Sequence, residues 1–467
     1  MSGPSTRSSA PHATRRRLVS LGIGVALVAA LAAFAPTAQA AQPGSQPNTV
    51  NVASVRAEVR AGNLLSTHGV SKVCAAAHAH CLAQIVTSAT GSAKALSTTT
   101  PLGYGAVDLA NASHLPAASV GANGTVAIID AGAYPNLESD LAVYRAQYGL
   151  PACTTANGCL KITDLHGGPP LTPDPTPFGQ FEEENVAVET ALDMQMASAA
   201  CPGCKLLEVQ IPVGDAFVPN DQPDLDAAMA DFGTAVNTAA VLGAGSVSMS
   251  YQYPSDTVVE FGQAGRDLFH PGMAVLASSG DGGFEGNQHT GWPQNLPWVT
   301  SAGGTSLFAT NAAGTTFTQT GWSGAGSGCE TDLPAAIGQP AAVSAFCGGH
   351  RADSDVSADA DPATGVAVYD TYAPASGQPL NWIVVGGTSA SSPFIAGLYA
   401  RAGNLSQVIG PNTLYLAPKK DFIDVKIGQN APTNGCQSVG APVQLCQSGS
   451  GWDGATGIGT PNGLGAF

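Results

Sequence analysis

The chain has 467 residues, enough for one large domain with leader segments or for two or three smaller domains. Only 11% of residues are charged, acids outnumber bases 33 to 17, and the formal net charge is -16. That balance argues against a nucleic-acid partner, because neutralising phosphates takes clustered Lys and Arg, and it is compatible with an acidic working environment.

Arg15-Arg16-Arg17 precedes an apolar stretch over residues 18–34, and Ala38-Gln39-Ala40 supplies small residues at a cleavage site. The pattern reads as an export signal over residues 1–40, not a membrane anchor. Thr14-Arg15-Arg16-x-Leu18 also has the form of a twin-arginine signal, so two export routes stay open. No second segment is long and apolar enough to span a membrane. The expectation is a secreted, extracellular protein, free of the membrane once the signal is removed.

Residues 41–100 are rich in Ala, Ser, Thr and Val and read as a short pro-segment or N-terminal extension. Thr98-Thr99-Thr100-Pro101 reads as a linker, with self-cleavage expected near residues 90–101, and residues 101–467 as the main domain. The ten cysteines suit an oxidising compartment. They fall as near neighbours: Cys74/Cys81, Cys153/Cys159, Cys201/Cys204, Cys329/Cys347 and Cys436/Cys446. Spacing does not fix connectivity, but five short loops are the simplest arrangement. Cys201-Pro202-Gly203-Cys204 reads as a structural staple in preference to a redox pair or a zinc site.

Residues 124–132 form an apolar run that ends in Asp130, as a buried parallel strand does. Residues 137–148 pattern as a helix, and residues 151–180 as loop. Residues 181–200 read as a partly buried helix on which Glu189 and Asp193, at i and i+4, share one face. The plainer alternative is a solvated acidic face, since Glu182-Glu183-Glu184 lies just before it. Residues 205–211 and 246–251 read as strands, and 224–242 and 261–270 as helices. Residues 274–282 read as a strand running into Asp281. This alternation predicts βαβ units and a parallel sheet with helices on both faces. Residues 310–380 read as irregular, with Asp353, Asp355, Asp359 and Asp361 on solvated loops or at one weak metal site.

The most informative stretch is Gly386-Gly387-Thr388-Ser389-Ala390-Ser391-Ser392-Pro393, between the apolar run Trp382-Ile383-Val384-Val385 and an apolar helix. A hydroxyl nucleophile suits this place, because helix N-terminal N–H groups carry partial positive charge and help hold an oxyanion. Ser389 as a plain N-cap is the alternative. A second Gly-Gly-Thr-Ser, at residues 303–306, runs on into Leu307-Phe308 without the helix opening, so Ser306 reads as structural. In the tail, Asp424 and the glycine-rich residues 449–457 around Asp453 supply two carboxylates and turn carbonyls, a donor set suited to Ca²⁺.

A serine hydroxyl needs a base. His166, in a Pro/Gly-rich stretch, reads as loop, whereas Glu189 sits on a helix and works as a base in an acidic medium. Glu189 and Asp193 would then titrate as a coupled pair.

The E-x-x-x-D helix, the Ser279-Gly280-Asp281 strand end and the Gly387-Thr388-Ser389-Ala390-Ser391 turn occur in the order found in the sedolisin family of serine-carboxyl peptidases, in the subtilisin-like clan. The chain resembles that family over residues 101–467. The resemblance implies an α/β, subtilisin-like three-layer fold with a mostly parallel sheet. It implies an acid-acting endopeptidase, a monomer, acting on protein or peptide substrates. It implies Ser389 as nucleophile, Glu189 as general base and acid, Asp193 as its partner and Asp281 as a protonated oxyanion donor. Asp130 lies where subtilisins keep a catalytic aspartate. One structural Ca²⁺ is implied on the Asp424 and Asp453 side chains and the carbonyls of Val425, Gly449 and Gly451. Residues 248–251 would line the substrate edge. The family carries a pro-domain much larger than residues 41–100, a departure in this chain. A neutral subtilisin-type protease and a catalytically silent secreted binding protein are the alternative readings.

Overall fold

The computed structural model describes residues 50–74, 81–217, 224–254, 262–284, 291–431, 436 and 440–467. The export signal read from residues 1–40 lies outside the described residues. The chain begins here with α1 (Val52–Ala61), β1 (Gly69–Lys72), β2 (Gln84–Thr87) and α2 (Ala106–Ala112). An alternating series comes next: β3 (Thr125–Ala131), α3 (Leu137–Gln147), β4 (Leu160–Asp164), α4 (Pro177–Ala200), β5 (Lys205–Ile211), α5 (Asp224–Val241), β6 (Ser246–Met249) and β7 (Ala274–Ser278). Then come β8 (Thr300–Ala309), β9 (Phe317–Gly321), β10 (Gly328–Pro334), β11 (His350–Asp353), β12 (Val356–Asp359), β13 (Val366–Asp370), β14 (Asn381–Gly386) and α6 (Thr388–Ala402).

The central sheet has the order β12-β8-β7-β6-β3-β5-β4. All six of its pairings are parallel, and β9 joins β8 antiparallel. β3 shows why: six of its seven residues are buried, as a strand covered on both faces must be. This is the expected α/β, subtilisin-like arrangement of a mostly parallel sheet with helices.

α4 begins cleanly. The Thr176 side chain accepts from Gly179 N at 3.0 Å and Pro177 takes the first helical position. From Val186 to Ala200 every residue is buried, so this half of the helix is interior on all sides. α6 packs on it closely. A Cβ on Gly397 would stand 2.6 Å from Ala200 Cβ and 3.0 Å from Ala197 O, so the absent side chain sets the helix separation.

Two expectations change. Residues 310–380 carry five short strands where irregular loop is expected. Asp353 and Asp355 are buried, not solvated: Arg351 Nη2 lies 2.7 Å from Asp353 Oδ1, and Arg351 Nη1 lies 2.7 Å from Asp355 Oδ1. No group of three or more His, Cys, Asp or Glu able to hold a metal occurs among the described residues. The helix expected over 261–270 shortens to Gln263–Arg266, and Phe261 lies outside the described residues. All five near-neighbour cysteine pairs are disulfides, Cys201–Cys204 included.

A second, antiparallel sheet has the order β1-β2-β14-β13. It ties residues from the first hundred to the strand that delivers Ser389, through Val385↔Ile85 and Gly386↔Gln84. The division of the chain into compact units falls between Thr49 and Val50.

Candidate active site

β14 runs buried through Gly386, and Gly387 turns the chain into α6 with φ 108°, a conformation glycine adopts without strain. Ser389 is the second residue of α6 and fully buried. Asp281 lies three residues beyond β7 and fixes the helix start. Its Oδ1 accepts from Thr388 N at 2.8 Å and from Thr388 Oγ1 at 2.9 Å, while Gly280 N donates to Thr388 Oγ1 at 3.2 Å. The Asp281 carboxyl therefore meets the positive end of the helix.

From the other side, α4 presents Glu189 and Asp193, both 0% exposed. Glu189 Oε2 accepts from Ala83 N at 2.7 Å, and Asp193 Oδ1 accepts from Ser250 Oγ at 3.0 Å. The other oxygens, Glu189 Oε1 and Asp193 Oδ2, have no partner in hydrogen-bond geometry among the described residues, and neither does Ser389 Oγ. The Ser389 hydroxyl nevertheless stands beside Glu189 and favours its ionised form. Such contacts commonly tighten only when substrate binds. Asp130, at the end of β3, is also fully buried; neither oxygen has a partner in hydrogen-bond geometry among the described residues, although Thr190 and Tyr251 stand beside it and favour its ionised form.

Burial dominates the electrostatics. It pushes Glu189 well above the usual carboxylate range, and the Asp130 and Asp281 charges add to the rise. Burial also holds Asp193 well above that range, reinforced by Asp130 and Glu189. Asp130 is raised to about 7 by burial. Asp281 is raised to about 6 by burial, against the lowering effect of Thr388 and Gln84. A cluster of this kind retains protons in mild acid and releases them in coupled steps, each charge formed making the next ionisation harder.

The arrangement brings Ser389, Glu189, Asp193, Asp281 and Asp130 into one buried region. Ser306 has a different role: it lies inside β8, and its Oγ donates to Asp361 Oδ2 at 2.6 Å. His166 is exposed in a loop. His68, His114, His270 and His350 bond to partners other than the carboxylate cluster.

In the tail, Gly449 N donates to Asp453 Oδ2 at 3.0 Å, and Gly451 N donates to Asp424 Oδ1 at 3.0 Å. Asp424 is exposed, with Lys426 Nζ at 3.5 Å from Oδ2, whereas Asp453 is buried. Burial raises Asp453 to about 7, and the Asp424 charge adds to it. Asp453 Oδ1 also accepts from Thr456 N at 2.9 Å and Thr456 Oγ1 at 3.0 Å, so hydrogen bonds already reach both of its oxygens; two carboxylates on glycine-rich turns are the donor type a hard divalent cation takes.

Sequence reasoning missed Ala83 and Gln84. Ala83 engages Glu189 by its backbone, and Gln84 Nε2 donates to Asp281 Oδ2 at 2.9 Å. A backbone contact leaves no side-chain signature, so no motif marks this stretch.

No family model matches the chain. Kumamolisin from Bacillus sp. (strain MN-32) is 30% identical over 392 residues, a match covering 78% of this chain and 63% of that protein's length. The Pseudomonas sedolisin (serine-carboxyl proteinase) structure with two molecules of pseudo-iodotyrostatin superposes with a TM-score of 0.57 at 22% identity. That match covers 78% of this chain and 96% of the other, and it establishes a shared fold. The resemblance to the sedolisin family therefore extends well beyond the motifs.

Proposed function

We propose that the chain is a secreted, acid-acting serine-carboxyl endopeptidase on protein or peptide substrates. The observation that carries it is the burial of Ser389 beside Glu189, with Asp193 one helical turn on and Asp281 at the start of α6. The similarity to kumamolisin and to Pseudomonas sedolisin supports it.

In this reading Ser389 Oγ attacks the substrate carbonyl carbon, and Glu189 takes the hydroxyl proton. Asp193, held neutral by burial, keeps its own proton and orients ionised Glu189 by donating a hydrogen bond to it. Asp281 in its protonated form donates to the oxyanion, since an ionised carboxylate there would repel it. Glu189 then protonates the leaving amine, and water repeats the sequence to free the acyl group. Asp130, uncharged in acid, would oppose ionisation of its neighbours by charge only above about pH 7.

Residues 1–40 act as the export signal, the protein is a monomer without a nucleic-acid or membrane partner, and one Ca²⁺ binds at Asp424 and Asp453 with carbonyls of Val425, Gly449 and Gly451. The ion would neutralise two adjacent carboxylates and brace the tail.

Peptide hydrolysis from pH 2 to 8 tests this reading. Activity should peak in acid and vanish in Ser389→Ala and Glu189→Gln. Neutral activity surviving Glu189→Gln refutes it. One observation favours the silent-scaffold alternative: the cleft already holds Ala83 against Glu189.

A further inference from the structure

The loop between β13 and β14 is held by carboxylates. Asp370 ends β13, and Thr371 and Tyr372 follow it. Thr371 N donates to Asp140 Oδ2 at 2.7 Å, and Thr371 Oγ1 donates to Asp140 Oδ1 at 2.7 Å. Tyr372 N donates to Asp370 Oδ1 at 2.9 Å. Ala375 N and Ser376 N donate to Glu184 Oε2, on α4, at 2.8 and 2.7 Å. The Tyr372 hydroxyl donates to Glu183 Oε2 at 3.1 Å, and Glu183 Oε1 also takes Ala133 N. The loop, α3, α4 and the turn after β3 thus meet at four acids.

Proton counting fixes the charge of two of them. Tyr134 Oη lies 2.7 Å from Asp140 Oδ2 and 3.1 Å from Asp370 Oδ1. A phenol has one proton to give, and the shorter contact takes it. The longer contact is a hydrogen bond only when Asp370 carries a proton on Oδ1 and donates it to the phenol oxygen. With both carboxylates ionised, two charges would flank one hydroxyl and the 3.1 Å contact would repel. Asp140 is 2% exposed and Asp370 0%, so water screens that repulsion little.

The titratable groups that face Asp370 work in the same direction. They are Asp140 from α3, Tyr134 from the turn before it, Glu184 from α4 and Tyr372 from the loop itself. Burial pushes Asp370 up to about 7, and the Asp140 and Glu184 charges add to the rise against the Tyr372 and Tyr134 donors. Burial and the two carboxylates keep the proton of Tyr134 on its oxygen.

We propose that Asp370, Tyr134 and Asp140 form a proton-dependent clasp on the β13–β14 hairpin, closed in acid and released as pH rises through neutrality. In the closed state Asp370 O–H donates to the Tyr134 oxygen, and Tyr134 O–H donates to the Asp140 carboxylate. Opening gives the Asp370 proton to water and leaves two like charges across one hydroxyl. Asp370 pairs with Asn381, the first residue of β14, and β14 continues to Gly386 and the turn into α6. The strand that delivers Ser389 therefore starts at the clasp. The clasp stands whether or not Ser389 acts as a nucleophile.

The test uses the full chain as Ser389→Ala, which excludes self-digestion, at pH 6 and pH 8. Hydrogen exchange of residues 371–376, read by mass spectrometry and corrected for intrinsic exchange rates, reports the protection of the amides that the carboxylates hold. With Asp370 losing its proton near 7, protection should fall about tenfold between the two pH values. Asp370→Asn cannot ionise and still offers an N–H to the phenol oxygen, so its protection should be equal at both. Tyr134→Phe keeps the ring, removes the shared hydroxyl and should lower protection at pH 6. Equal protection at the two pH values without these changes, an undiminished fall in Asp370→Asn, or undisturbed protection in Tyr134→Phe overturns the clasp.

Discussion

Replacing Asp130 by Asn should flatten the dependence of stability on pH. Asp130 is 0% exposed at the end of β3, and burial raises its pKa from 3.8 to about 7. The folded state therefore holds this proton at pH values where the unfolded chain has released it. Stability from this group is fully present below pH 4 and is lost as pH rises through 7. A rise from 3.8 to about 7 corresponds to about 4 kcal/mol, at ~1.36 kcal/mol per pH unit. For a domain of roughly 400 residues that is about 5 °C in Tm, taking ~2.1 cal/mol/K of unfolding entropy per residue. Asn cannot ionise, so Asp130→Asn should change Tm little at pH 4 and raise it by about that amount at pH 8. Thermal unfolding by circular dichroism, in a Ser389→Ala background that prevents self-digestion, measures both. An equal loss of Tm at the two pH values would show that Asp130 is held as an ion, and the burial argument would fail.

Other consequences are more local. Asp281→Ala should lower kcat by about 10²–10³ with KM little changed, the size expected for one lost oxyanion donor, read from steady-state peptide hydrolysis. An Ala at Gly397 would place its Cβ 2.6 Å from Ala200 Cβ and should cost about 1–3 kcal/mol by overpacking, measured by urea unfolding of the Ser389→Ala protein. Chelation with EGTA should lower Tm, and Asp453→Ala should remove that response; an identical Tm with and without chelator refutes the cation.

Much of the site was legible because its parts are local. The apolar runs of β3 and β14, and the apolar residues around Glu189 on α4, mark buried elements without knowledge of their partners. Glu189 and Asp193 meet because helical spacing brings i and i+4 together. Ser389 differs from Ser306 in its downstream neighbours, which continue as a helix after Ser389 and as the rest of a strand after Ser306. The strands between 310 and 380 were not legible. They are short, and their register is set by distant partners, β12 by β8 and β13 by β14. Asp353 and Asp355 look solvated in sequence because nothing local announces that Arg351 will be buried with them. The crossing of the cleft by residues 81–84 is least visible, since it depends on backbone groups that every residue has.

The same carboxylates govern folding and chemistry, and the cleft strand acts on both. Arg351, a buried cation, is committed to Asp353 and Asp355. Above pH 7 the cluster would carry several like charges in a buried region, which costs stability and removes the Asp281 proton that the oxyanion requires. The docked strand moves these limits downward. Ala83 N–H favours ionised Glu189, and the Gln84 amide favours ionised Asp281. Both donors lower the pH at which these carboxyls give up their protons, so a reaction that needs protonated Asp281 is confined to acid while residues 83 and 84 hold their places.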